Sequence, residues 1–308
     1  MESALKHEAK AVISIAATIG LGWLAGQPVR GEPPVEKPAA EKPVEALSKL
    51  IANAVKASMV LERETIRPGE TIDLAVTLEI SRGWHTYWNG DNDSGFPTEV
   101  KLTLPRGLTA GPIKWPVPER HLADGDILDY VYFDQCTLLV PITADSTFAA
   151  EFRGEIVAEL SWLVCREGCV PGSATLKTDS PFVAPLMPSS KPKADKVATE
   201  VKAARELLAM PASKDARVTA KWEGDALVLG FKDSEALTFM PSADGARVAD
   251  PIKTATTSKA KEPLTLRFKP DQEAKPGAPD KPVVGFLRAK VAGSAKPVNI
   301  EIKIDQPK

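Results

Sequence analysis

Apolar and polar residues alternate along much of this chain, a period-two pattern that predicts β-strands with one buried face. From Thr71 to Ile80, the residues Ile72, Leu74, Val76, Leu78 and Ile80 share one side after a Pro68-Gly69 turn. Val100, Leu102 and Leu104 predict the next strand, and Tyr130 to Ile142 another. His121 to Asp129 reads as a loop, and Trp115-Pro116-Val117-Pro118 is too rich in proline for a central strand and suits an edge or crossover. About seven short strands between residues 57 and 183, broken by turn signals, predict an antiparallel sandwich.

The period changes over Ala194 to Met210, where Val197, Val201, Ala204 and Leu208 form one helical stripe that predicts a helix packed on a sandwich. A second β region runs from Ala216 to Ile304, with strands near Arg217–Trp222, Ala226–Phe231, Leu264–Phe268, Val283–Val291 and Val298–Ile304. It holds neither cysteine nor histidine, which assigns it a structural or docking role. The expected fold class is all-β: two antiparallel β-sandwiches joined by a short helix. The 308 residues suit two such domains.

The N-terminal segment differs. Lys6 and Lys10 precede an apolar run from Ala11 to Gly26, the length of a signal-peptide core and short for a relaxed transmembrane helix. Trp23 and Leu24 fall where a cleavage site wants a small residue, so residues 11–26 serve as a cleaved signal or as an uncleaved membrane anchor. Residues 27–44 are a Pro/Glu/Lys/Ala spacer, and Glu45 to Ala57 is expected to form a short helix. The expected organisation is 1–26 export segment, 27–44 linker, 45–185 first sandwich, 186–212 linker and helix, and 213–308 second β-rich domain. A net charge of -2 offers no basic face for nucleic acid, and the sequence carries no phosphate loop, nucleophile elbow or other cofactor signature.

Chemistry concentrates at Ser161 to Gly172, which holds two of the three cysteines. Ile156, Ala158, Leu160, Trp162 and Val164 share one parity, and Glu159, Ser161 and Cys165 the other. Downstream, Val170, Ala174 and Leu176 stand against Cys169, Ser173 and Thr175. Arg166-Glu167-Gly168 is a hairpin loop with a glycine for the left-handed position, so both sulfurs fall opposite each other on the polar face, within disulfide reach. Closing so small a ring removes little loop entropy, about 2 kcal/mol. Spacing alone leaves three readings open: a redox pair, a structural disulfide, or a soft-metal site such as copper using Cys165, Cys169, His85 and His121. Arg166 favours a thiolate and Glu167 opposes it. Cys136 reads as a small half-buried strand residue, and the acidic stretch Asn89 to Pro97 as a turn cluster, because it lacks the calcium-loop spacing. Export would hold the cysteines in an oxidising compartment, with the disulfide as the resting state.

Four blocks, Gly83-Trp84-His85-Thr86-Tyr87-Trp88, Asp93-Ser94-Gly95-Phe96-Pro97-Thr98, Gly111-Pro112-Ile113-Lys114-Trp115-Pro116, and Trp162-Leu163-Val164-Cys165 with Cys169-Val170-Pro171-Gly172, resemble in order the N-terminal periplasmic domain of the thiol:disulfide interchange protein DsbD and its ScsB-type relatives. The resemblance covers residues 57 to 183. It implies an immunoglobulin-like sandwich whose Cys165/Cys169 pair shuttles between dithiol and disulfide without a cofactor. Its implied partners are a thioredoxin-like or membrane electron donor and oxidised periplasmic proteins. It makes Tyr87 an aromatic neighbour of the pair, along with His85, Arg166 and Glu167, and sets the loop at 122 to 129 in the place of the family's cap over the cysteines. Residues 213 to 305 resemble, more distantly, the second sandwich of the longer ScsB-type members. The pair is spaced by three residues, as in ScsB-type relatives, and not by five. Neither a multi-span membrane domain nor a thioredoxin-like C-x-x-C appears in the sequence, so the donor is expected on a separate chain.

Overall fold

The computed structural model describes residues 54–63, 65–146, 154–178, 197–257, 264–269 and 281–307. The first sandwich is built from β1 (Val55–Leu61), β2 (Thr71–Ile80), β3 (His85–Tyr87), β4 (Glu99–Thr103), β5 (Leu108–Ala110), β6 (Glu119–Ala123), β7 (Ile127–Tyr132), β8 (Gln135–Ala144), β9 (Val157–Cys165) and β10 (Cys169–Lys177). A helix, α1 (Val197–Glu206), leads to β11 (Met210–Pro211), β12 (Val218–Glu223), β13 (Ala226–Phe231), β14 (Ser234–Pro241), β15 (Ala255–Thr257), β16 (Leu264–Phe268), β17 (Val283–Val291) and β18 (Val298–Ile304).

One sheet of the first sandwich has the order β1-β2-β8-β5. The other has β10-β9-β3-β7-β6, with β4 also paired to β9. The alternating residues of β2 and those of β9, Ala158, Leu160, Trp162 and Val164, belong to one buried cluster between the sheets. β2 is buried on its other face too. Ala75 and Leu139 are covered by Val201 and Ala204 of α1, with Leu208 packed beside them, which is the stripe that the sequence predicts. There the buried Asp73 carboxylate accepts hydrogen bonds from Arg205 Nε at 2.8 Å and Lys114 Nζ at 3.0 Å, so two cations compensate one buried charge.

The second sandwich stacks a sheet of order β11-β18-β17-β14-β15 on one of order β12-β13-β16. Its own core includes Leu229, Phe231, Phe239, Leu287 and Ile300. All the described residues fall in one compact unit.

Several expectations change. Tyr130 to Ile142 is two strands in different sheets, because Asp134 takes a left-handed φ of 58° and reverses the chain without a glycine. His121 to Asp129 is a β6–β7 hairpin and not a loop, its turn closed by left-handed Gly125 and Asp126. Residues 55–57, expected at the end of a helix, start β1, which pairs along its length with β2. The helix is shorter than Ala194 to Met210, since Met210 and Pro211 already pair with β18. β14 and β15 were not anticipated. The export segment and spacer of residues 1–44 lie outside the described residues, and no described helix is long and apolar enough to cross a membrane.

Candidate functional site

β9 and β10 pair in the register that sets Cys165 directly opposite Cys169, and the two form a disulfide with Cα atoms 4.2 Å apart. The register is pinned by Gly172 opposite Trp162, where any Cβ would run into the indole ring. Trp162 and Val164 enter the core between the sheets. Cys165 and Leu163, of opposite parity, join Tyr87, Val131 and Phe133 in a separate cluster on the outer face of the sheet. Cys165 is buried there, while Cys169 is exposed, as are Arg166, Glu167 and Gly168 in the turn. Gly168 does not take the left-handed φ that the hairpin reading gave it.

β3 lies on the other side of β9, which puts His85 opposite Cys165 and Tyr87 two residues further along the same face. The Tyr87 hydroxyl is 3.5 Å from Cys169 Sγ and 3.5 Å from Ser94 Oγ. Ser94 Oγ donates its only proton to Asp129 Oδ2 at 2.5 Å, and Ser94 N donates to Asp129 Oδ1 at 3.0 Å. Toward Tyr87, therefore, Ser94 can only accept. The disulfide sulfur carries no proton either, so the phenol is the donor, and its single proton is shared between the two acceptors. Burial raises the Tyr87 pKa above its ordinary value, which keeps that proton on the oxygen. The arrangement presents a fixed O–H donor to Cys169, ready to stabilise a thiolate when the disulfide is reduced.

Gly95 makes the loop's approach to Tyr87 possible, because a Cβ at this position would overlap the phenol ring. Phe96, next in the chain, is 75% exposed. Sequence reasoning missed Ser94, Gly95 and Asp129. The signals for them were the Asp93 to Thr98 block of the family resemblance, which holds Ser94 and Gly95, and the stretch 122 to 129 that it sets as the cap, which ends on Asp129.

The His85 ring lies 5.3 Å from that of Tyr87, 5.5 Å from His121 and 5.6 Å from Phe133. Burial, with the His121 charge nearby, lowers the His85 pKa and favours the neutral imidazole, against the opposing pull of Asp129. Among the described residues no group of three or more His, Cys, Asp or Glu is arranged to hold a metal ion. The β6–β7 hairpin covers the residues where the resemblance sets the cap; it meets the site through Asp129 and His121, and Ile127, which follows its turn, is exposed. Cys136 is fully buried in the core and not half-buried, and burial pushes its thiol pKa well up, which keeps it inert.

Fold and site together define a β-sandwich bearing a disulfide on an outer sheet face beside a buried phenol. Residues 56–181 match the family of the thiol:disulfide interchange protein DsbD, N-terminal, and the first sandwich is a domain of that family. Family and disulfide together support a role in thiol:disulfide interchange. Among solved structures, the N-terminal periplasmic domain of ScsB from Proteus mirabilis is similar at 12% identity and a TM-score of 0.52, over 83% of this chain and 95% of that one. That likeness extends the shared fold across both sandwiches. The DsbD N-terminal domain of Neisseria meningitidis in the reduced form is similar at 13% identity and a TM-score of 0.27, over 43% of this chain and 91% of that one. No curated protein matches the chain in sequence.

Proposed function

We propose that this protein is an exported thiol:disulfide interchange protein that relays electron pairs through Cys165 and Cys169. A donor thiolate attacks one sulfur of the disulfide, forming a mixed disulfide while the other sulfur leaves as a thiolate. The donor's second thiol then displaces the first sulfur, so the donor ends as a disulfide and the pair ends reduced by two electrons. The reduced pair performs the reverse chemistry on an oxidised acceptor. The donor is of the thioredoxin-like or membrane-carrier class and the acceptors are oxidised periplasmic proteins, as the DsbD family match supports. Residues 11–26 would deliver the chain to that compartment, either cleaved or retained as an anchor. In this reading residues 45–185 are the redox domain, with Cys165 and Cys169 as its reacting groups.

The observation that carries the proposal is the Tyr87 hydroxyl, held by burial in its protonated form 3.5 Å from Cys169 Sγ. A disulfide that only pinned a hairpin would have no use for a donor aimed at its sulfur. The test is a titration of the full chain in glutathione or dithiothreitol buffers, with free thiols counted by mass shift. A reversible two-electron transition between about -180 and -270 mV is expected. A bond still oxidised below about -300 mV would make it structural.

A further inference from the structure

The loop that reaches Tyr87 is held from two sides, and one of those sides is the second sandwich. Trp88 stacks on Phe286 of β17 with ring centroids 5.0 Å apart. Asn89 O accepts from Ser242 Oγ at 3.2 Å and from Ala243 N at 3.2 Å, and Asn89 Nδ2 donates to Asp244 Oδ2 at 2.9 Å. Asp91 N donates to Pro241 O at 3.3 Å, and Asp91 Oδ2 accepts from Arg247 Nε at 3.2 Å. Gly90 is pressed between these anchors, where a Cβ would strike both Trp88 and Tyr130.

The next three residues are held by β7 instead. Asn92 Oδ1 accepts from Tyr130 N at 2.7 Å, Asp93 Oδ2 accepts from Leu128 N at 2.7 Å, and Ser94 is bound to Asp129. Gly95 then lies on the Tyr87 ring. Tyr87 at the start and Gly95 at the end of this loop are both site residues, and Ser94 and Gly95 bear directly on the phenol that faces Cys169. Half of its anchors come from residues 241–247.

We propose that the second sandwich sets the reactivity of the Cys165–Cys169 pair by clamping residues 89–91, with Asn89 and Asp244 as positioning residues. This rests on the thiol:disulfide interchange reading and gives residues 213–308 a part in it. With the clamp made, Ser94 and Gly95 stay against Tyr87 and the phenol stays aimed at Cys169. With it broken, the phenol loses that support and no longer favours release of Cys169 as a thiolate.

A donor–acceptor exchange across the pair tests this in the full chain. Asn89→Asp removes the donated bond and sets carboxylate against carboxylate, while Asn89→Asp with Asp244→Asn restores one donor and one acceptor. The reductant is dithiothreitol. It supplies both electrons, its first thiolate forming the mixed disulfide and its second closing a ring that frees the protein thiols. The reduction rate of N89D is expected to fall about three- to tenfold, the scale of one charge-assisted bond lost, and to return to within about twofold of wild type in N89D/D244N. Near-ultraviolet circular dichroism establishes that each variant is folded, and D244A replaces N89D if that one is not. A folded N89D that reacts at the wild-type rate or faster would overturn the clamp, as would a slowing that the second substitution fails to reverse. The relay reading fails separately, through a wild-type disulfide that the glutathione titration leaves oxidised.

Discussion

Replacing Tyr87 by Phe isolates the role of one hydroxyl. The ring remains to fill the space against Gly95, and Ser94 keeps both of its bonds to Asp129. The donor 3.5 Å from Cys169 Sγ is lost, and with it the contact of equal length to Ser94 Oγ. A hydrogen bond to a charged acceptor contributes about 1.5–3 kcal/mol when buried, and the exposure of Cys169 together with the length of the contact brings that down to about 1 kcal/mol. The bond acts on the thiolate of the reduced protein and hardly at all on the disulfide, so Tyr87 favours the reduced state. Y87F should therefore shift the midpoint about 20 mV more negative at a pH where the reduced Cys169 is a thiolate, since 30 mV corresponds to 1.4 kcal/mol for a two-electron couple. It should also cut the thiolate population of the reduced pair about fivefold at a pH where the thiol still dominates. The assays are the glutathione titration and the rate of iodoacetamide alkylation of the reduced pair across pH. A midpoint and an alkylation profile both unchanged in a folded Y87F would refute the reasoning and reduce Tyr87 to a packing residue.

His85 is held below its ordinary pKa by burial and by His121, so beneath about pH 6.5 the unfolded chain binds more protons than the folded one and stability falls as the pH drops. His85→Gln should flatten this part of the urea-midpoint profile between about pH 8 and pH 5, and a slope identical to that of wild type would show that other groups set it. Gly95→Ala pushes a methyl into the Tyr87 ring; it should cost about 1–3 kcal/mol in urea unfolding and slow reduction by dithiothreitol, and an unchanged rate would mean that the loop does not position the phenol.

The strands with strict alternation were legible in the sequence because each has one face in a core. β9 and β10 follow that rule and carry the register that opposes Cys165 and Cys169, while β2 keeps the alternation although α1 covers part of its other face. Where the chain reverses without a conventional marker, the reading failed. β7 and β8 merged into one strand because left-handed Asp134 makes their turn, and β6 disappeared into the turn residues around Gly125. Tyr87 entered only through a family resemblance, since nothing in its local pattern distinguishes it from any other sheet aromatic. Asp129 and Ser94 are 35 residues apart, and their pairing depends on β7 lying beside β3, which no local period encodes.

That last dependence bears on the chemistry. A β9–β10 hairpin alone can bring Cys165 and Cys169 together, because they are four positions apart and directly paired. The donor to Cys169 cannot form that way. It needs β3 beside β9 to deliver Tyr87, β7 beside β3 to deliver Asp129, and the 89–95 loop spanning the two. The strand order that achieves this is held by side chains of the opposite parity, such as Trp162, Val164, Leu128 and Tyr130 in the core. Forming the disulfide is thus a local property of twelve residues, Ser161 to Gly172, while its tuning belongs to the folded sheet. A core-destabilising substitution such as Leu128→Ala would then leave the disulfide intact and loosen the site around it, so oxidation state alone is a poor report on whether the site is assembled.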